Sequence, residues 1–146
     1  VPGIDDMVCF SLYSASRATT AAYRRVLAPF DLTYPQYLVL VSLWTEGTQS
    51  VRGLGERLDL DSGTLSPLLR RMEARGVVRR IRRTDDERVV DVELTERGSA
   101  LRTEMADVPE RVFACMGLGI DAARTLLTSL HELTRTVQER TEALAS

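Results

Sequence analysis

The chain has 146 residues, one domain's worth, and 44 % of them are apolar, which is enough for a core of its own. Its net charge is −2, its 19 basic residues are all arginine, and no apolar run is long enough to span a bilayer. One histidine, His131, excludes a multi-histidine metal site within one chain, and two distant cysteines, Cys9 and Cys115, match no zinc-type cysteine spacing.

No metal or other cofactor is therefore expected. With no signal-type segment ahead of the first periodic stretch, a cytoplasmic protein without a membrane partner is expected, and any cysteine pairing should be transient and redox-dependent.

Residues 5–28 read as one long helix. Asp5 and Asp6 lie at its start, where the helix dipole favours acids, and Arg24 and Arg25 lie in its last turns. Cys9, Tyr13, Ser16, Thr20 and Tyr23 line one stripe, and apolar residues on further sides imply a helix clasped between other elements. Pro29 closes it. Thr33-Tyr34-Pro35 opens the next helix, with proline in the first turn where its missing N–H costs nothing, and YPQYLVLVSLW is apolar enough to be buried up to about Gly47. Ser50 then caps a short helix whose Val51, Leu54 and Leu58 face inward.

Asp61-Ser62 caps the following helix, in which Leu65, Leu68, Leu69 and Met72 recur at core-facing spacing while Gly63, Pro67, Arg70 and Arg71 point the other way. Pro67 lies beyond the first turn and leaves one carbonyl without its intrahelical donor. A position that tolerates this on the outward face is a candidate for DNA contact; a slightly strained exposed helix start accounts for it equally. Val77/Ile81 and Val90/Val92/Leu94 then alternate with charged residues around a polar turn, as in a two-stranded antiparallel ribbon. From Arg70 to Arg83 there are seven arginines and one acid, Glu73, so this stretch carries +6 and the rest of the chain −8. A local basic stripe on an acidic body binds a polyanion with one face only.

The layout is that of a mainly α fold with a small β-wing, a winged helix-turn-helix. In the usual docking of such folds the second helix enters the major groove. The DNA-facing candidates are Ser62, Thr64, Ser66, Pro67, Arg70 and Arg71 on that helix and Arg82, Arg83, Asp86 and Arg88 on the ribbon. Arg70 and Arg71 suit phosphate or guanine contact, and Arg88 at the ribbon tip suits a narrow minor groove. Arg79, Arg80, Arg82 and Arg83 alternate faces, so some should be solvated or paired with Asp85, Asp86 and Glu87. Asp86 is expected to orient Arg88, because phosphates repel a carboxylate.

After the ribbon, Thr95 caps a helix expected to run to about Cys115, and Met116-Gly117-Leu118-Gly119 breaks it. From Ile120 to Leu144 two interleaved seven-residue series, Ile120/Leu127/Thr134/Thr141 and Ala123/Leu130/Val137/Leu144, mark an amphipathic helix with more apolar surface than a small domain covers. A second copy of the chain is its expected partner. Residues 5–34 and 99–146 are assigned to dimerisation, 35–98 to the winged helix-turn-helix, and 1–146 to a single domain.

The wing motif D-x-R, a strand, then L-T-x-x-G reads here Asp86-Glu87-Arg88, VVDVE, Leu94-Thr95-Glu96-Arg97-Gly98. With it, the sequence resembles the MarR family of winged-helix dimers over nearly its whole length. CFSLYSASR, LTYPQYLVL and LGERLDLDSGTLSPLLRRMEARG look like the organic-hydroperoxide-resistance regulators within that family. The resemblance implies a homodimeric repressor on a pseudo-palindromic double-stranded DNA operator, with an organic hydroperoxide as effector. It further implies that Cys9 is the peroxidatic cysteine, that Tyr23 and Tyr34 hydrogen-bond it, that Arg88 enters the minor groove, and that Cys115 is the resolving cysteine of the two-cysteine branch, forming a disulfide with Cys9 of the other chain. Gly117 and Gly119 are the hinges that would let the Cα atoms approach within about 7 Å.

Cys9 and Tyr23 share a helix face but stand 14 residues apart, roughly 21 Å at 1.5 Å per residue. They cannot meet within one straight helix, so a hydrogen bond between them requires the first helices of two chains to lie antiparallel. Two other readings stay open. One is a regulator of the same fold released by a reversibly bound phenolic or lipophilic ligand, with incidental cysteines. The other, a thiol peroxidase enzyme, leaves the basic wing unexplained and shows no recycling motif. Tyr13 and Tyr37 are candidates for lining the peroxide pocket, although aromatic residues at helical spacing are more often core.

Overall fold

The helix caps read from the sequence set most element boundaries in the computed structural model, which describes residues 3–145; Val1, Pro2 and Ser146, the ends of the expected domain, lie outside the described residues. Helix α1 spans Val8–Leu27. It is preceded by a 3-10 turn, Ile4–Asp6, that ends at an extended Met7. Asp5 and Asp6 therefore sit in that turn and not in the first turn of α1, which corrects the expected single helix over 5–28. Ala28–Phe30 forms a second 3-10 turn around Pro29. In α2 (Tyr34–Glu46), Thr33 and Gln36 form a reciprocal capping box, with Gln36 Oε1 accepting from the Thr33 N–H at 3.0 Å.

The helix-turn-helix follows as expected. The Ser50 hydroxyl accepts from the Gly53 N–H at 3.0 Å and starts α3 (Val51–Leu58). The Asp61 carboxylate accepts from the Thr64 N–H at 2.8 Å and starts α4 (Ser62–Ala74). At the far end of α4, the Gly76 N–H donates to the Glu73 carbonyl and the Val77 N–H to the Met72 carbonyl. This is a Schellman closure, and Gly76 takes the positive φ of 70° it requires.

Three strands, not two, make the sheet. β1 (Gln49–Ser50) pairs antiparallel with β3 (Val90–Leu94), which pairs antiparallel with β2 (Val78–Arg82), in the order β1-β3-β2. Val78, Arg80 and Arg82 stand opposite Leu94, Val92 and Val90 and so share the face of the buried Val92, although of the three only Val78 is itself buried. The expected Val77/Ile81 phase is therefore wrong by one residue: Val77 precedes the strand, and Ile81 lies opposite Asp91 and is exposed. Arg80, itself exposed, is held on that face by Glu73 of α4, which meets its guanidinium at 2.7 Å.

The expected helix from Thr95 to Cys115 is two helices, α5 (Glu96–Glu104) and α6 (Val108–Met116). Met105 and Val108 are buried at the break, and Pro109, which has no N–H to continue the ladder, sits in the first turn of α6.

One compact unit extends to Val112 and a second begins at Phe113. The core of the first gathers Leu27, Leu40, Leu54, Leu69, Met72, Val92 and Val108, each fully buried, with no buried side-chain polar atom unpaired among the described residues. The second contains α7 (Ile120–Leu144), in which no described residue is buried and Ile120, Leu127 and Val137 are more than half exposed. Among the described residues no single helix is long and apolar enough to cross a membrane.

Candidate functional site

Helix α4 buries Leu65, Leu68, Leu69 and Met72 and turns Ser62, Thr64, Pro67, Arg70 and Arg71 to solvent, as the 3.6-residue period requires. Pro67 removes the donor for the Gly63 carbonyl on this outward face. Among the described residues Arg70 and Arg71 have no acidic partner. A groove of about 1100 Å³ runs beside the start of α4; its lining includes Ser62 and Ser66, Arg52 of α3, and Arg80, Asp86 and Arg88 of the wing. The structure thus brings two of the expected α4 residues and two of the expected ribbon residues to one concavity. Thr64, Pro67, Arg70, Arg71, Arg82 and Arg83 lie outside its lining.

Within the wing the arginines are paired. Arg79 meets Glu93 at 2.6 Å, Arg80 meets Glu73, and Arg83 grips Asp91 with two donors at 2.7 and 2.9 Å. Their partners are strand and helix carboxylates, not Asp85 and Glu87 of the turn, which is a correction of the expected pairing. Arg82 donates to the backbone carbonyl of Glu87. Only at the tip does the expected pair form: Asp86 Oδ1 accepts from the backbone N–H and Nε of Arg88 at 3.2 and 3.1 Å. Arg88 Nη2 also reaches Asp86 Oδ2 at 3.4 Å, and the side chain remains 91 % exposed. These contacts hold the Asp86 and Asp91 carboxyls below the usual carboxylate range, through Arg88 and Arg83 respectively.

Behind the helix-turn-helix the tyrosines gather. Tyr23 of α1 stacks on Tyr34 of α2 with ring centroids 4.1 Å apart, and Tyr37 lies 5.7 Å from Tyr23. Trp44 stands edge-on to Tyr37 at 6.2 Å. Burial raises the phenol pKa of Tyr23 and Tyr34, and burial with its two neighbours pushes Tyr37 up to about 12. All three are therefore neutral O–H groups at neutral pH, able to donate. Tyr37's membership could not be read from helical spacing alone, which also fits a plain core aromatic. Cys9 and Cys115 are both free and exposed, the first near the start of α1 and the second near the end of α6. No cluster of potential metal ligands occurs among the described residues.

A model of the MarR family matches residues 32–90, from the α1–α2 corner to the start of β3. The chain is 49 % identical over 127 residues to the HTH-type transcriptional regulator TtmR of Methylorubrum extorquens, covering 87 % of this chain but only 65 % of TtmR's own length. It is 38 % identical over 137 residues to the organic hydroperoxide resistance transcriptional regulator of Bacillus subtilis, covering 94 % of this chain and 93 % of that one. The chain belongs to the MarR family. A solved structure of reduced AbfR bound to DNA superposes with a TM-score of 0.78 at 33 % identity, covering 92 % of this chain and 94 % of that chain. AbfR structures also exist for overoxidised protein bound to DNA and for a disulfide-formed state.

The MarR wing motif has a mechanical basis in this chain. The Thr95 hydroxyl accepts from the Gly98 N–H at 3.0 Å and donates to the Gly76 carbonyl at 2.6 Å. Trp44 Nε1 donates to the Gly98 carbonyl at 2.9 Å. A Cβ on Gly98 would stand 2.0 Å from the Val77 carbonyl oxygen, so only glycine fits. L-T-x-x-G thus bolts the base of the ribbon to the end of α4 and to α2.

Proposed function

We propose that this chain is a homodimeric, operator-binding repressor that senses organic hydroperoxides through Cys9. The observation that carries the reading is the exposed Cys9 on the stripe of α1 that also holds Tyr23, whose neutral phenol is stacked with Tyr34. The separation of Cys9 from Tyr23 along α1 calls for two antiparallel copies of that helix. Val8 and Tyr13 on its first turns and Ile120, Leu127 and Val137 on α7 supply the unburied apolar surface for a second copy. Residues 5–34 and 99–146 serve dimerisation and 35–98 serve DNA.

In this reading phenol donors from Tyr23 and Tyr34 favour the Cys9 thiolate. The thiolate attacks one peroxide oxygen, the O–O bond breaks, the alcohol leaves, and Cys9 becomes a sulfenic acid. The Cys115 thiol of the other chain then displaces water and forms a disulfide, which ends exposure to irreversible over-oxidation. The two recognition helices leave their half-sites, which lie about one helical turn apart, and DNA is released. On DNA, Ser62, Thr64, Ser66, Pro67, Arg70 and Arg71 face the major groove and Arg88 the minor groove; Arg82 lies on the ribbon near phosphate. Arg83 and Asp86, already paired, shape the ribbon and its tip. As a regulator of DNA the protein acts in the cytoplasm, and it turns over no substrate.

A non-reducing denaturing gel of the reduced protein, before and after stoichiometric organic hydroperoxide, tests the redox step. A covalent dimer that needs both Cys9 and Cys115 is expected; a monomer with unmodified Cys9 after peroxide contradicts it.

A second reading has one observation in its favour. A cavity of about 280 Å³ between α2 and the α5–α6 break is lined by Tyr37, Trp44, Thr45, Arg102 and Met105 among others, a setting for a phenolic acid. Release of DNA by such a compound, unchanged in Cys9→Ser, would select it.

A further inference from the structure

The end of α4 opposite its DNA-facing start is tied to the corner between α1 and α2 by one side chain. Arg75, the C-terminal cap of α4, donates through Nη2 to the Phe30 carbonyl at 3.0 Å and through Nη1 to the Asp31 carbonyl. The Asp31 carboxylate stands a further 3.6 Å from the same guanidinium. These carbonyls lie at the end of the 3-10 turn Ala28–Phe30, which the Asp31 N–H closes on the Ala28 carbonyl at 3.0 Å, and Asp31 takes a left-handed backbone, φ 52°, before the chain turns into α2. A planar guanidinium offers parallel donors in a fixed fork and can hold two neighbouring carbonyls at once; an ammonium cannot reproduce that geometry.

The position of the fork is what makes it informative. On one side it grips a corner that lies between Tyr23 and Tyr34, the two stacked rings. On the other it continues directly into the turn of α4 that carries Arg70 and Arg71. Arg75 has no place in the proposed DNA contact or in the chemistry of Cys9. We propose that Arg75 is a positioning residue that couples the α1–α2 corner to the recognition helix, so that a change of state at the tyrosine cluster is passed to α4 through the Arg75 fork on the Phe30 and Asp31 carbonyls. The inference rests on the redox reading for its physiological input, but the coupling is a property of the fold and can be tested without peroxide.

Coupling between two sites is reciprocal. In the full-length reduced protein, saturating operator DNA should change the rate at which iodoacetamide alkylates Cys9, followed by mass, and Arg75→Gln should abolish most of that change. In parallel, organic hydroperoxide should weaken operator binding of the unaltered protein, and in Arg75→Gln the ratio of oxidised to reduced Kd should shrink by about fivefold or more while Cys9 is oxidised at the normal rate. Arg75→Lys should fall between the two.

A purely structural role for Arg75 would lower the Tm and the reduced-state affinity and leave both the Kd ratio and the DNA effect on alkylation intact; that result overturns the proposal. Alkylation that ignores DNA in the unaltered protein overturns it as well. If Cys9 is oxidised without any release of DNA, the redox reading fails, and the alkylation measurement alone decides the role of Arg75.

Discussion

The recognition helix and the wing both carry arginines toward the face assigned to DNA, but they use them differently. On α4, Arg70 and Arg71 have no carboxylate partner among the described residues, whereas on the wing Arg79, Arg80, Arg83 and Arg88 each have one. The +6 charge of the stretch from Arg70 to Arg83 therefore overstates what is available to a polyanion. Wing arginines fix the shape of a ribbon too small to have a core of its own, and α4, whose core face is already secured by Leu65, Leu68, Leu69 and Met72, leaves its arginines free. Arg88 is the exception within the wing. Its single pair is at an exposed tip, the kind of contact worth little in water, so it can exchange Asp86 for a groove.

The most damaging way to break this contrast is to unbolt the wing. Gly98→Ala places a Cβ against the Val77 carbonyl and should destabilise the protein by about 3 kcal/mol, measured by denaturant unfolding. Next, Arg70→Ala should weaken operator binding at fixed salt by roughly 1–3 kcal/mol if Arg70 reads a base, or lower the salt slope by about 1 if it neutralises a phosphate. Arg83→Ala, by contrast, should leave affinity close to normal, because Asp91 already occupies its guanidinium.

Alkali and acid separate the regions behind and within the wing. Tyr37 has a folded pKa of about 12 against an ordinary 10.0, so its contribution to stability is complete below pH 10 and disappears as pH rises from there toward 12. Tyr37→Phe should flatten that alkaline loss in a thermal melt series. Smallest of all, Asp91→Asn should speed hydrogen exchange in β2 and β3 without touching α4. In the unaltered protein the same loosening should appear only as pH falls below the ordinary carboxylate pKa of 3.8, because Arg83 holds Asp91 below it.

Local chemistry explains which of these features could be read from residues alone. Ser50, Asp61, Thr33 and Thr95 each cap the helix they precede because capping involves only the next three residues, and the apolar face of α4 follows from its period. The break at Met105–Asp107 was equally local, and Pro109 was the signal that should have ended the helix. The phase of β2 was not legible, since Val77 and Val78 are adjacent and both buried, and only pairing with β3 decides that Ile81 faces out. Nor could the partners of Arg79, Arg80 and Arg83 be found by proximity in sequence, because Glu93, Glu73 and Asp91 come to them through strand register and packing. The tyrosine cluster lies between these cases: Tyr23 and Tyr34 stood out by resemblance, while Tyr37 joined them only through the packing of α1 on α2.

In the proposed mechanism the state of Cys9 governs DNA binding. Its most direct test is operator binding by the unaltered protein and by Cys9→Ser, each measured before and after stoichiometric organic hydroperoxide. Both should bind when reduced, and only the unaltered protein should let go after peroxide. Equal release by Cys9→Ser would contradict it and pass control to the cavity beside Tyr37, Trp44 and Arg102.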